Sequence, residues 1–558
     1  MKLGLGPLRQ LRHLERYREI LRVLIKYGFA QVLDELHLYG LRERIFARGR
    51  KKADGAAPQT MEARLRMALT ELGPAFVKLG QLLSTRADLL PPSFIEELSR
   101  LQDRVPPFPT DQAEAILASE LNAALESRFA RFDPEPLAAA SIGQVHRALL
   151  HTGEEVVVKI KRPGVDEVVR RDLDILIELA SFVDRNTHLG PLYQFTRIAE
   201  EMKQLLLREL DYTIEARNAQ RFRQNFAAEG RVYMPRVFWE SSTRNVLTLE
   251  YREGISLNRY LEQPLLQPPP QKVAAILADV FFKQIFVDGF FHGDPHPGNI
   301  AVLPDGRLFF MDFGSAGHIS ETVRGKFIAI ARALQGYDSA AAVDELLGLA
   351  FVPPVINRLE LIRDLDELLE DYFELPLQNI VISEAIRRLM QVAVKHRLRF
   401  PHELTLLARA VVTLEGTVSR LDPEFSLADA ARKYALELQR RQLKLELRRF
   451  RSAWRGYRRL FEEFPEQAKE ILRASAAGEL KLKLELPQLE PVMKTVKNMV
   501  NRLSFSIVLA SLIIALSQSL QLGHSAWLEK FPLAEIVLVG ALCAGIWWLV
   551  SIFRSGRM

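Results

Sequence analysis

Residues 290–299 read "FFHGDPHPGN", and "LFFMDFG" follows at 308–314. No other stretch restricts the fold as much. Two prolines and two glycines within ten residues end the apolar helical run that precedes them, because proline breaks the helical ladder and glycine resists a fixed helix. The segments "NIAVL" and "LFFMDF" beyond them read as short strands. An aspartate, two histidines and an asparagine are thereby pinned in a rigid loop. Such a cluster has three uses: a metal cage of His292, Asp294 and His296, a solvated turn without a role, or the catalytic loop of a phosphoryl-transfer enzyme. Asn299 lies five residues after Asp294, and Asp312 thirteen residues after that.

The remaining pattern bears on the choice. At 558 residues and 48% hydrophobic, the chain can bury a large core and carries more than one structural unit. Helical patterning dominates from Met61 to Ala130, broken by "LLPPS" and "RVPPFPT". Near Phe132 it gives way to β-branched or alternating runs, "ASIGQVHRALL", "EEVVVKIKRP" and "NVLTLEYREG", separated by turn signals such as "HTGE". A long helical segment over about 166–228 interrupts these strands, and helical pattern returns after Glu253. No internal repeat is visible. A single cysteine, Cys543, excludes an intrachain disulfide framework and cysteine-held zinc.

A strand-rich part followed by a helix-rich part is the layout of a bilobal kinase. Asp294, Asn299 and Asp312 resemble the H-R-D-x-x-x-x-N loop and the D-F-G of protein kinases, in order and at the same separation. The resemblance implies ATP and Mg as cofactors, with Asn299 and Asp312 as oxygen ligands for the hard cation and Asp294 orienting the acceptor and taking its proton. "VVVK" resembles the strand lysine that meets the α- and β-phosphates, which makes Lys159 the candidate; "LLRELDYTIEARNAQRF" offers Glu209 and Glu215 as its partner, and Glu209 is the preferred one. "VLTLEYREGISL" resembles the hinge that meets adenine, with Glu250 to Arg252 as its edge. The phosphate loop departs from the kinase pattern. Ala138 and Ala140 in "AAASIGQV" stand where two glycines are expected, and only Gly143 remains. The predicted nucleotide-binding run is Leu137, Ala138, Ala139, Ala140, Ser141, Ile142, Gly143, Gln144 and Val145. No A-P-E follows "DFGSAGHIS", so a protein-substrate platform has no support in the sequence.

The alanine-rich loop, "KLGQ" at 78–81 and "HGDPHPGN" together resemble the UbiB family of atypical kinase-like proteins tied to ubiquinone biosynthesis, over roughly residues 60 to 425. That resemblance implies an α+β, bilobal protein-kinase-like fold with an N-terminal helical extension folded over the active site. It also implies Lys78 and Gln81 as site residues near Glu215, with Lys78, Lys159, Glu209 and Asp294 as the catalytic set. The expected organisation is a basic leader (1–57), the K-x-G-Q extension (58–130), an N-lobe with a helical insertion (131–255), a C-lobe (256–424), a basic helical tail (425–500) and a two-helix hairpin (501–553). The implied activity is phosphotransferase-type, kinase or ATPase, in support of isoprenoid quinone synthesis. A small-molecule kinase of the choline or aminoglycoside type shares the H-G-D-x-x-x-x-N loop, and a catalytically silent scaffold that binds nucleotide and lipid is a further alternative.

The chain ends favour lipid as the partner. Residues 1–52 hold 13 Lys and Arg against 5 Asp and Glu, and 431–460 hold 11 against 2. Such excesses seek an acidic surface, and no nucleic-acid module accompanies them. Residues 10–45 read as one or two amphipathic helices, equally suited to packing on the body or to membrane contact. "LSFSIVLASLIIALSQSLQLG" and "LAEIVLVGALCAGIWWLVSIF" each reach the roughly 20 residues needed to cross a bilayer. Lys494, Lys497, Arg502, Arg554 and Arg557 put both flanks on the cytoplasmic side. The expectation is an inner-membrane hairpin with a cytoplasmic catalytic body, in contact with membrane lipids, quinone precursors and quinone-biosynthesis enzymes. Small residues four apart, such as Gly540 and Ala544, suit dimerisation through the hairpin.

Overall fold

The computed structural model describes residues 7–30, 60–101, 105–187, 190, 194–262, 268–353, 356–373, 379–438 and 440, with isolated positions 469, 473, 476, 500, 507, 510 and 511 beyond them. The chain divides into two units, Met1–Arg449 and Phe450–Met558. All of the expected hairpin at 501–553 except positions 507, 510 and 511, and most of the expected basic tail, lie outside the described residues. Among the described residues no helix is long and apolar enough to cross a membrane.

The first unit is a mixed helix and strand kinase-like fold. Its N-lobe sheet runs β1 (Phe129–Phe132), β3 (Gly143–Leu150), β4 (Glu155–Lys161) and β6 (Val246–Glu250), with β2 (Ala138–Ala139) folded back on β3. Every pairing in this sheet is antiparallel. Strand alternation divides β4 into two faces. Val156, Val158 and Ile160 are fully buried against helix Thr110–Leu121 through Ala113, Leu117 and Leu121. Each of these three strand side chains contributes about 1.5–3 kcal/mol by leaving water. Lys159 and Lys161 necessarily point the other way.

The basic leader begins as α1 (Pro7–Lys26), whose apolar face is already used: Ile20, Leu21 and Val23 are buried on the body. Arg16 makes a two-pronged pair with Asp172, a carboxylate with no exposure, at 3.0 and 2.7 Å. Of the two uses open to this helix, the structure takes packing on the body. The extension follows as α2 (Met61–Leu72), α3 (Pro74–Leu83), α4 (Pro92–Ser99) and α5 (Thr110–Leu121). Its helices α2 to α4 share one core with the insertion helices α6 (Val165–Asn186), α7 (Phe195–Glu209) and α8 (Tyr212–Asn225), through residues such as Phe76, Leu98, Val169, Leu173 and Leu206, while α5 packs on the sheet.

The segment read as one long helical run over 166–228 is therefore broken twice. The second break, at Leu210–Asp211, matters most for the site. Asp211 caps α8 by accepting from the Thr213 N–H at 3.0 Å, which starts a new helix in a new direction. In the C-lobe, helix α9 (Pro270–Phe282) leads into β8 (Phe290–His292), and β9 (Ile300–Val302) pairs with β10 (Leu308–Phe310), flanked by β7 (Ile255–Ser256) on β9 and β5 (Val232–Tyr233) on β10. β8 pairs with β11 (Ala316–His318), so the two motif-bearing loops emerge side by side. α10 (His402–Leu421) packs behind them, with Leu406, Ala410 and Leu414 in the main core.

Candidate nucleotide and catalytic site

His292 joins the two loops. It is buried, its Nδ1 accepts from the Asp294 N–H at 3.1 Å, and its Nε2 meets the Asp312 carbonyl. An Nδ1 that accepts requires the proton on Nε2, so the ring is the neutral Nε2–H tautomer. Burial lowers its pKa and favours the same state. Both ring nitrogens are thus used, and the metal cage of His292, Asp294 and His296 does not form. His296 instead shapes the loop, accepting from the Gly298 N–H at 3.0 Å. The one described grouping of His and acidic ligand atoms with metal-like convergence is Glu360, Asp364 and His396, far along the chain from this loop.

Asn299 donates through Nδ2 to the Asp294 carbonyl at 3.1 Å, which leaves its Oδ1 as an acceptor. The Asp312 carboxylate takes the Gly314 N–H on Oδ1 at 2.8 Å, while Oδ2 lies 3.6 Å from Lys159 Nζ. Attraction to Lys159, its strongest influence, holds Asp312 below the usual carboxylate range. Asn299 and Asp312 offer hard oxygen donors only, a set suited to magnesium. Phe313 is fully buried against Phe222 of α8, with ring centres 5.5 Å apart, and its carbonyl accepts from Asn218 at 2.9 Å. The "DFG" turn is thereby tied to the helix that carries Glu215.

Glu215, not Glu209, pairs with Lys159. Its two oxygens lie 3.0 and 2.8 Å from Nζ. The expectation of Glu209 fails because the helix break redirects the chain: Glu209 is the last residue of α7, and Glu215 lies one turn into α8, facing the sheet. Burial opposes the Lys159 ammonium, yet Asp312 and Glu215 overcome it and hold its pKa well above the ordinary lysine value. Burial pushes Glu215 up while Lys159 pulls against it.

Glu209 faces Lys78 of the extension, at 3.7 Å. The rest of "KLGQ" serves packing. A Cβ built on Gly80 would lie 2.3 Å from Leu101 Cδ1, and Gln81 donates to the Leu101 carbonyl at 3.1 Å. Gln81 therefore anchors the extension, and its side chain is not presented to Glu215 as expected.

The alanine loop forms a tight hairpin. Ala138 pairs with Val145 and Ala139 with Gln144, and the Ala140 N–H donates to the Gly143 carbonyl at 2.8 Å. Neither Ala138 nor Ala140 has positive φ, so alanine is unstrained there. Gly143 is needed for close approach, since a Cβ would sit 2.4 Å from the Ile160 carbonyl oxygen. Ser141 and Ile142 are buried at the tip, whereas Leu137 is exposed. Val145, opposite Lys159 in the register, shares its face. Gln144 turns away from the cleft: its amide brackets the Phe108 main chain at 3.0 and 3.3 Å. That side chain was expected at the nucleotide; the pleat places it on the opposite face from Val145. Glu250 and Arg252 are likewise bound to each other at 2.7 Å, and Glu250 also takes the Tyr233 hydroxyl at 2.7 Å.

Two residues escaped sequence reasoning. Arg409 on α10 lies 3.8 Å from Asp294 Oδ1, carried there because Leu406, one turn earlier, packs where a Gly293 Cβ would be. Tyr212, the first residue of α8, is buried beneath Lys159 and Lys161. No local motif announces either; only the packing of helices remote in sequence delivers them.

Residues 100–346 match the ABC1 atypical kinase-like domain, 365–426 the UbiB helical domain and 487–554 the ABC1/UbiB kinase-like C-terminal domain. An uncharacterised protein of Synechocystis sp. is 38% identical over 67% of this chain and 64% of its own length. An uncharacterised protein from the hydrogenase 1 5' region of Clostridium pasteurianum is 30% identical over 97% of this chain and 99% of its own. A probable protein kinase UbiB of Marinobacter nauticus is 34% identical over 68% of this chain and 70% of its own. These matches do not favour the choline or aminoglycoside kinase type. The chain belongs to the ABC1/UbiB family of atypical kinase-like proteins.

Proposed function

We propose that this protein is an ATP-dependent phosphotransferase or ATPase that serves isoprenoid quinone biosynthesis at the inner membrane. One observation carries the reading: Lys159, paired with Glu215 at 2.8 Å, stands 3.6 Å from Asp312 beside the loop that bears Asp294 and Asn299. Lys159 meets the α- and β-phosphates, Asp312 and Asn299 hold Mg, and Asp294 orients the acceptor hydroxyl or water and takes its proton. Magnesium, held there by Asp312 and Asn299, would supply positive charge against the phosphate oxygens. Arg409 steadies the Asp294 carboxylate. Lys78, held over the cleft by the extension, adds positive charge and closes the approach that a protein substrate would need.

The hairpin at 501–553 anchors the catalytic body to the bilayer, where polyprenylated quinone precursors are confined, and the basic segments bind anionic lipid at about 1 kcal/mol per well-placed charge. ATP turnover then alters how the extension and tail engage lipid, and so delivers intermediates to soluble modifying enzymes; self-association runs through the hairpin's small residues.

The test is phosphate release by the purified full chain in liposomes, with and without a polyprenylated phenol. Stimulation by the lipid that disappears in Asp312→Asn is expected. Unchanged hydrolysis in the presence of lipid would remove the coupling, and rescue of a quinone-deficient strain by both Asp294→Asn and Asp312→Asn would favour a silent scaffold. Lipid extraction from a deletion strain identifies which quinone intermediate accumulates.

A further inference from the structure

Tyr212 has an unusual position. Its side chain is only 3% exposed, and its hydroxyl is shut off from solvent without a hydrogen-bond partner among the described residues. Burying an unpaired hydroxyl costs free energy that a phenylalanine of the same shape would not. Packing alone gives the oxygen no purpose.

The location supplies one. Gly143 lies opposite Lys161 and Val145 opposite Lys159, so strand alternation places all four on the cleft face of the sheet. A Cβ built on Gly143 would meet the Tyr212 hydroxyl at 2.5 Å. The phenol oxygen therefore sits directly beneath the tip of the alanine hairpin, on the side that faces the phosphates. Lys159 and Lys161 lie over its ring, with their ammonium groups 5.4 and 5.8 Å from the centre. Both ammoniums have carboxylate or amide partners elsewhere: Lys159 holds Glu215, and Lys161 holds Asn245 at 2.7 Å and Asp166 at 3.2 Å. They fix the ring and leave the hydroxyl unbonded.

The hairpin, meanwhile, is poor in donors. The Ala140 N–H is consumed by the Gly143 carbonyl, and the Leu137 N–H by Val145. A glycine-rich loop offers such main-chain donors to phosphate; here those of Leu137 and Ala140 are turned inward. From these placements, and resting on the nucleotide-site reading above, we infer that the Tyr212 hydroxyl donates a hydrogen bond to a phosphate oxygen of the bound nucleotide, replacing a donor that the alanine hairpin withholds. Access requires the hairpin tip to rise from Gly143 outward, and the tip is held from outside by Arg162, whose guanidinium reaches the Ala140 carbonyl at 3.4 Å.

The experiment is calorimetric titration of the full-length chain, with ATP, ADP and adenosine in magnesium buffer, for wild type, Tyr212→Phe and Lys159→Met. Tyr212→Phe is expected to lose roughly 10- to 100-fold in ATP and ADP affinity, the range for a hydrogen bond to a charged group, while adenosine affinity stays within twofold. Its thermal midpoint without nucleotide should equal or exceed that of wild type, because an unpaired donor has been removed. ATP affinity unchanged in Tyr212→Phe overturns the inference. A lowered midpoint with equal losses for all three ligands also overturns it, since that pattern marks a structural residue. Failure of the wild-type chain to bind any of them would instead overturn the nucleotide site itself, and this proposal with it.

Discussion

Two lysine–carboxylate pairs face the same cleft and differ in kind. Lys159 and Glu215 touch at 2.8 Å, and the glutamate side chain is only 7% exposed. Lys78 and Glu209 stand 3.7 Å apart, with side chains 19% and 31% exposed. The first pair is bonded through both carboxylate oxygens, with a buried glutamate, a lysine 27% exposed and Asp312 behind it; the second is looser, and its carboxylate is the wetter of the two. A buried pair is costly to break because it leaves an uncompensated charge, whereas an exposed pair is screened and weakly coupled. On the proposed function, the inner pair would set the geometry at the phosphates, and the outer pair would tune how the extension sits over it.

Breaking the inner pair should have the largest effect. Glu215→Gln is expected to lower ATP turnover on the order of 10²- to 10³-fold, comparable to removing one preorganised electrostatic contact at a reacting centre. It should also cost about 1–3 kcal/mol of stability, because the partly buried Lys159 loses both bonds to the carboxylate while Asp312 at 3.6 Å still offsets its charge. Phosphate release and urea unfolding measure the two. Turnover within threefold of wild type would mean that Glu209 can replace Glu215, and the distinction between the pairs would fail.

The choice between Glu209 and Glu215 marks where the sequence stopped being legible. The Asp294, Asn299 and Asp312 spacing, the strands at "GQVHRALL" and "EVVVKIK", and the direction of Lys159 are local properties, written in proline, glycine and period-two pattern. The helix break at Leu210–Asp211 is also local, but its consequence is the new direction of α8, which depends on packing against Phe313 and β6. Gln144 shows the same limit: its type and position suit a phosphate loop, yet strand pleat and the remote Phe108 segment turn it away from the cleft. Arg409 and Tyr212 became visible only once helices distant in sequence were brought to the loops.

The inner pair also predicts a pH signature. Asp312 is depressed by Lys159, so its contribution is present above the unfolded carboxylate value and fades as pH falls through the lower folded value. Lys159 is raised, so its contribution is present below the unfolded lysine value and fades as pH climbs through the higher folded value. The stability gap between wild type and Lys159→Met should therefore be widest from neutral pH to about pH 10 and narrow on either side, on the acid side first as Glu215, pushed up by burial and no longer held by Lys159, takes a proton. Chemical unfolding across pH tests this, and a gap that grows below pH 4 would contradict it.

A smaller effect is expected at the support of the outer pair. Gly80 approaches Leu101 and Leu69 so closely that an added methyl would lie 2.3 and 2.9 Å from their Cδ1 atoms. Gly80→Ala should cost about 1–3 kcal/mol by overpacking and loosen α3, which carries Lys78. Faster proteolysis between residues 60 and 110, with Lys159–Glu215 chemistry retained, is the expected result.

The smallest effect belongs to the outer pair itself. A double-mutant cycle on Lys78→Met and Glu209→Gln should give a coupling of about 0–1 kcal/mol, the range for a partly exposed ion pair. Raising the salt from 0.05 to 0.5 M shortens the screening length severalfold and should shrink that coupling further. The corresponding cycle on Lys159→Met and Glu215→Gln should respond less to salt, because its carboxylate is buried and the two groups are in direct contact. Lys78 also helps to hold Asp312 low, a longer-range influence than its contact with Glu209. Turnover should consequently fall further in Lys78→Met than in Glu209→Gln. Equal losses would mean that the pair acts as a unit, making the extension part of the catalytic geometry rather than a cover set over it.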